Sequence, residues 1–319
     1  MRQAFVERLT EVAARDPRVM LLTGDLGFGV LDKFAQRFPR QFLNVGVAEQ
    51  NMAGVTTGLA LEGRIVFTYS IANFTFMRCL EQIRNDASYH DANVKVVSVG
   101  GGFSYGALGI SHHATEDLAI MRSLPGLTVV APGDDWEAAE ATEALVRTPG
   151  TTYLRLDRAG ATAKPRSGEM FVLGEARTIR NGRDVTLVAT GGVLAEAVKA
   201  SEELAASGVQ CRVLSVHTVK PLDHQALIRA ALETSGIVTV EEHTVLGGLG
   251  AAVAEVLLES GTPPGFFHRI GLRDRFSSVV GSQDYLRAHF GINAAAISAK
   301  VHELTASHGQ SRTPLLKVA

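Results

Sequence analysis

Short, almost continuously apolar runs alternate along the chain with stretches whose apolar residues recur every three or four positions. The first kind reads as strands buried on both faces and the second as amphipathic helices. Their alternation predicts parallel sheets covered by helices, an α/β fold. "RVMLLTG" (18–24) is a strand, and "LDKFAQRF" (31–38) a helix closed by Pro39. "FLNVGV" (42–47) is a strand leading into the helix "EQNMAGVTTGLALEG" (49–63). "RIVFTYS" (64–70) leads into a helix through "FMRCLEQIRNDASYH" (76–90), and "VKVVSVGGG" (94–102) into "ATEDLAIMRSL" (114–124). "LTVVAPG" (127–133), the helix "DWEAAEATEALVR" (135–147) and "TTYLRL" (151–156) complete a first unit.

The rhythm breaks over "DRAGATAKPRSGEMFVLGEA" (157–176), rich in Gly, Pro, Lys and Arg, which reads as a linker. A second αβ pattern follows: "DVTLVAT" (184–190), a helix from 193, and "QCRVLSVHTVKPLD" (210–223). The helix "HQALIRAALETSG", the strand "IVTVEEH" (237–243), a helix after Gly247, the strand "FFHRIGL" and the helix "AAAISAKVHELTA" close it. The expected domains are 1–160 and 172–307, joined by a linker at 161–171, with a loose tail at 308–319.

Composition narrows the function. With 46% hydrophobic and 20% charged residues, the 319-residue chain has material for two cores. A net charge of −2 gives no basic field for nucleic acid and no polybasic membrane patch. The two cysteines, Cys79 and Cys211, lack metal-site spacing and fit a reducing compartment. No apolar run reaches the roughly 20 residues of a membrane span. The expectation is a soluble cytoplasmic protein.

Four stretches could carry chemistry. Glu49 stands where a strand turns into a helix, close to the small residues Ala53, Gly54 and Gly58. First helical turns favour acids through the backbone dipole, so the bland reading is capping and the sharper one a ligand contact. "VGGGFSYGALGISHHATED" (99–117) leaves the end of a strand, where open parallel sheets bind ligands. Its adjacent His112 and His113 diverge, so one can reach a cleft while the other packs; no Cys or i+4 His accompanies them to suggest zinc. Phe74, Phe76 and Arg78 lie where a loop becomes a helix; the rings could be core or could stack on a flat heterocycle. Arg155 and Arg158 end a strand and could pair with acids or bind an anion.

Together these stretches resemble the C-terminal half of transketolase, and more closely the separate β chain of a split, two-subunit transketolase. "NVGVAEQNMAG" is similar to the family's strand–acid–helix signature, "FTFMRCLEQIRND" to its cofactor-stacking stretch, and "ALGISHHATEDLAIMRSLPGLTVVAPGD" to its histidine loop. "VLSVHTVKPLD" and "VTVEEHTVLGGLGAAVAEVL" resemble its C-terminal domain. The resemblance implies two doubly wound domains, a thiamine-diphosphate pyrimidine-binding domain and a transketolase C-terminal domain. It implies that Glu49 bonds the pyrimidine ring, that Phe76 or Phe74 stacks on it, and that Leu26 and Asp25 lie beside the cofactor. His112 would touch the reacting oxygen, with His113 as a second candidate. Arg158, with Arg78 or Arg155 in reserve, would bind a distal anion.

The family's diphosphate-and-metal motif is missing, so the resemblance implies that an α subunit holds Mg²⁺ and the diphosphate, in an (αβ)₂ heterotetramer or, for this chain alone, a β homodimer. The implied reaction moves a two-carbon ketol unit from a ketose to an aldehyde. Leu108, Gly100 and Gly29 stand where ordinary transketolases carry an acid, a histidine and a serine that bind sugar hydroxyl or phosphate. A modified sugar, a different anion or an unusual acceptor is therefore expected. Alternatives are 1-deoxyxylulose 5-phosphate synthase chemistry, a 2-oxo acid dehydrogenase β subunit, and, from another class, a non-catalytic scaffold.

Overall fold

A computed structural model describes residues 1–311. It contains a seven-stranded and a five-stranded sheet. The first carries strands β1 (Val19–Thr23), β2 (Phe42–Asn44), β3 (Ile65–Ile71), β4 (Val94–Val99), β5 (Thr128–Val130) and β6 (Thr152–Leu156), paired in parallel. The second carries β7 (Arg177–Arg180), β8 (Val185–Ala189), β9 (Cys211–Ser215), β11 (Ile237–Thr244) and β12 (Phe267–Leu272), parallel except for the edge strand β7.

Strand alternation divides the side chains of the first sheet between two cores. Leu21, Phe67 and Val97 point to one face, under helices α1 (Arg2–Arg15) and α7 (Asp135–Arg147). Leu22, Val66 and Val96 point to the other, with α3 (Glu49–Leu61), α4 (Ala72–Phe76) and α6 (Asp117–Ser123). The short helices α2 (Asp32–Arg37) and α5 (Leu80–Gln82) lie between them in sequence. The second sheet is sandwiched likewise by α8 (Leu194–Ala206) and α12 (Ala294–Ser311) on one face and α9 (His224–Glu233) and α10 (Leu249–Glu259) on the other.

Several expectations are corrected. The strand expected over 42–47 stops at Asn44, because Gly46 turns the chain at φ 75°. The helix expected over 76–90 is broken after Phe76 and continues as α5 and a wide turn of π-type over Ile83–Ser88. Within 210–223 the chain leaves the second sheet after β9, and β10 (Thr218–Lys220) pairs antiparallel with β5, extending the first sheet. Helix α11 (Gln283–His289) has no counterpart in the sequence reading. Part of the expected linker is packed: Phe171 stacks on His217, with ring centroids 4.2 Å apart. Of the tail at 308–319, residues 308–311 complete α12 and the rest lie outside the described residues.

Candidate functional site

The loops that follow β1, β2, β3, β4 and β6 gather at the carboxyl end of the first sheet. Glu49 opens α3 there and is only 4% exposed. Its Oε2 accepts from Arg78 Nη1 at 3.2 Å, and the Arg78 guanidinium lies 4.0 Å over the Phe74 ring. Phe74 in turn meets His112 edge-on, with centroids 5.2 Å apart. Glu49 of α3, Arg78 just after α4, Phe74 within α4 and His112 of the histidine loop thus form one continuous string. Beneath Glu49, Thr68, Thr75 and Cys79 line a small internal cavity, and Thr68 Oγ1 is buried without a hydrogen-bond partner. Burial and the neighbouring Glu49 push the Cys79 thiol up to about 12.

Two concavities flank Arg78 on the outside. One, of about 400 Å³, is bounded by Val47, Glu49 and Asn51. The other, of about 390 Å³, is bounded by Phe74, Met77, Ile110, His113 and Phe276. Exposed Val47, Met77, Ile110 and Phe276 give this end an apolar rim. A Cβ built at Gly54 or Gly58 of α3 meets nothing within 4 Å, so these two positions face outward, whereas Ala53 packs against the second core of the first sheet.

The histidine loop is held by Asn73, whose side-chain amide donates to the carbonyls of Ile110, Ser111 and His113 at 3.0 to 3.2 Å. Nothing in the local pattern singles Asn73 out, because its partners are backbone groups some 40 residues away. His112 is half-buried, with Nδ1 3.0 Å from Ser111 Oγ. Burial, then His113 and the Arg78 charge, depress its pKa, so the ring is neutral at pH 7 and offers one donor and one acceptor.

Other candidates fall elsewhere. Phe76 is fully buried among Leu118, Val96 and Met52, so Phe74, not Phe76, presents a ring to the site. Arg155 is 2% exposed and spends its guanidinium on Asp117, Asp157 and the Glu242 carbonyl. It joins the two domains and has no face left for a substrate. His113 is also committed, with one ring nitrogen on Ser277 Oγ at 2.6 Å and the other on the Gly106 carbonyl at 2.9 Å. Arg158 is exposed, in a concavity beside Tyr105 and Leu108. Leu26 is half-buried against the first core; Asp25, at φ 57°, is exposed and pairs with Asn44. Gly29 has no neighbour within 4 Å of a built Cβ, whereas Gly100 lies under the Tyr105 ring.

The family model for the transketolase pyrimidine-binding domain matches residues 1–162, and that for the transketolase C-terminal domain matches 174–297. The chain belongs to the transketolase family. A 6-deoxy-6-sulfo-D-fructose transketolase subunit of Clostridium sp. (strain MSTE9) is 40% identical over 306 residues, covering 96% of this chain and 94% of the relative. One of the subunits of an apulose-4-phosphate transketolase from Phocaeicola vulgatus is 38% identical, covering 93% of this chain and 94% of the relative. Among solved structures, a split-gene transketolase described as an inactive β4 tetramer superposes with a TM-score of 0.85 at 35% identity, covering 96% of this chain and 97% of that one.

Membership implies thiamine diphosphate, and the residues present fit its pyrimidine end. A buried carboxylate, an orphaned hydroxyl beneath it and an aromatic face beside it make a donor–acceptor edge against an apolar wall. Among the described residues no helix is long and apolar enough to cross a membrane.

Proposed function

We propose that this chain is the C-terminal-half (β) subunit of a thiamine-diphosphate-dependent transketolase that moves a two-carbon ketol unit from an anionic or modified ketose to an aldehyde. The observation that carries this reading is the buried Glu49 at the mouth of an apolar-rimmed concavity, in line with Arg78, Phe74 and His112. Relatives named for a sulfo-sugar and for apulose 4-phosphate support a modified sugar. The second polypeptide, an α subunit, would dock on the rim of Val47, Met77 and the outward-facing Gly54 and Gly58 of α3, and would hold the diphosphate and Mg²⁺ in an (αβ)₂ assembly.

Thiamine diphosphate, held at its pyrimidine end by Glu49, Phe74 and Leu26, would supply the nucleophilic carbon chemistry that ketol transfer needs. Glu49 would hold a proton on its carboxyl and share it with a pyrimidine ring nitrogen, swinging Arg78 aside to do so. Phe74 would pack against the cofactor ring, and Leu26 would limit its tilt. Neutral His112 would hydrogen-bond the reacting oxygen and pass a proton to or from it. The apolar rim, once covered by the partner, would exclude water from these groups.

Reconstitution tests the whole reading. The purified chain alone is expected to show no ketol transfer, and addition of a chain carrying the diphosphate-binding domain, with cofactor and Mg²⁺, to restore it. Full turnover by the isolated chain would refute the partner requirement; release of carbon dioxide from pyruvate by the complex would redirect the assignment to synthase chemistry.

A further inference from the structure

Besides the two concavities at Arg78 there is one of about 330 Å³ built from both domains. Ser104, Tyr105, Leu108 and Arg158 come from the first, and Ser282 and Gln283 from the second. Among the described residues, Arg158 is the one charged residue in its lining. The wall is fixed by an exchange of volume: Gly100 has φ 89°, and a Cβ built there would lie 2.1 Å from the Tyr105 ring. Tyr105 therefore needs a glycine at position 100. Its ring also lies 6.2 Å from that of His112, so this concavity and the reactive end share a wall.

Gln283 has an orientation set by chemistry. Its Nε2 donates to Glu242 Oε1 at 2.8 Å, and that carboxylate can only accept while ionised. Glu242 is itself held in place as an acceptor, Oε1 by the Phe103 amide and Oε2 by Arg287 Nε. The Gln283 nitrogen is thereby committed to Glu242 and, at 3.5 Å, to Ser104 Oγ, which leaves the carbonyl oxygen as the group this lining residue can offer a ligand. A carbonyl oxygen there accepts from a hydroxyl and repels an anion, whereas Arg158 does the reverse.

We propose that Gln283, contributed by the second domain, is a specificity-determining residue that accepts a hydrogen bond from a hydroxyl of the sugar while Arg158 holds its terminal anion. The proposal deepens the transketolase reading and rests on it. It gives the hydroxyl an acceptor in a pocket where Leu108, 57% exposed, offers none.

The test compares wild type, Gln283→Leu and Arg158→Gln in the reconstituted complex, with erythrose 4-phosphate and with glycolaldehyde as acceptors. Glycolaldehyde has no terminal anion for Arg158 to hold. At saturating ketose donor, Gln283→Leu is expected to raise the acceptor KM about tenfold for erythrose 4-phosphate and much less for glycolaldehyde, with kcat within about twofold. An unchanged KM, or an equal shift for both acceptors, overturns the proposal. A second measurement needs no turnover: calorimetric titration of the full chain with sorbitol 6-phosphate. Wild-type binding weakened about tenfold by Gln283→Leu and more by Arg158→Gln supports the pocket; no binding, or binding indifferent to both changes, overturns it. If the wild-type complex transfers no ketol unit yet binding follows this pattern, the transketolase reading falls and the sugar pocket stands.

Discussion

Arg78 Nη1 sits 3.2 Å from Glu49 Oε2 while its guanidinium covers Phe74, so a half-exposed cation closes over a buried acid. Such a pair, open to water on one side, adds little stability. It does control access to the carboxylate. Glu49→Gln keeps the shape and removes the proton, and in the reconstituted enzyme it is expected to lower kcat by about 10² to 10⁴. The melting temperature of the isolated chain should stay within a few degrees. Near-normal turnover would remove Glu49 from the chemistry.

The two phenylalanines separate by the same logic. Phe76→Ala empties a fully buried site and is expected to cost about 3–5 kcal/mol in denaturant unfolding. Phe74→Ala, half-buried at the rim, should cost far less stability but weaken cofactor retention in the complex. Equal destabilisation by both changes would contradict their different burial.

Arg155 offers a third contrast, because its partners are structural. Asp117 and Asp157 are fully buried beside it, and Gly101 leaves the space its side chain occupies. Arg155→Met leaves two buried carboxylates without their cation, and the expected loss is about 3–5 kcal/mol of stability. A substrate ligand would behave otherwise, raising KM with an unchanged melting temperature.

These contrasts show what the chain alone reveals. Strands such as β1 and β4 are legible because Leu21 and Leu22, or Val96 and Val97, serve both faces of one sheet and make the run continuously apolar. β7 reads "RTIR", an edge strand with charged ends, and β10 is three residues whose pairing with β5 depends on where the second domain docks. Neither has a periodic signal. Glu49, Phe74, His112 and Arg158 all stand out by their place at strand or loop ends. Choosing between Phe74 and Phe76, or between Arg155 and Arg158, needs the break after Phe76 and the acids from other elements that surround Arg155. Gln283 is out of reach of the sequence alone, since its role depends on Glu242, some 40 residues earlier in the chain and in a different element.

The packed linker yields a pH dependence. His217 is buried under Phe171, its Nδ1 2.9 Å from Thr218 Oγ1, and burial together with the Arg177 charge pushes its pKa down to about 4, against smaller opposing effects of Asp134 and Asp223. In the unfolded chain the ring titrates near 6.5. Between about 6.5 and 4 the unfolded state therefore takes up a proton that the folded state refuses. Stability is complete above the upper value and falls as pH drops through this window, by roughly 3 kcal/mol at its lower end. His217→Phe keeps an aromatic ring against Phe171 and removes the proton. Urea unfolding of both proteins at about pH 7.5 and at about pH 4.5 checks this: the variant should lose less stability on acidification than wild type. Identical acid losses would mean that His217 is not held neutral, and the stack on Phe171 would then lose its place as the acid-sensitive joint between the domains.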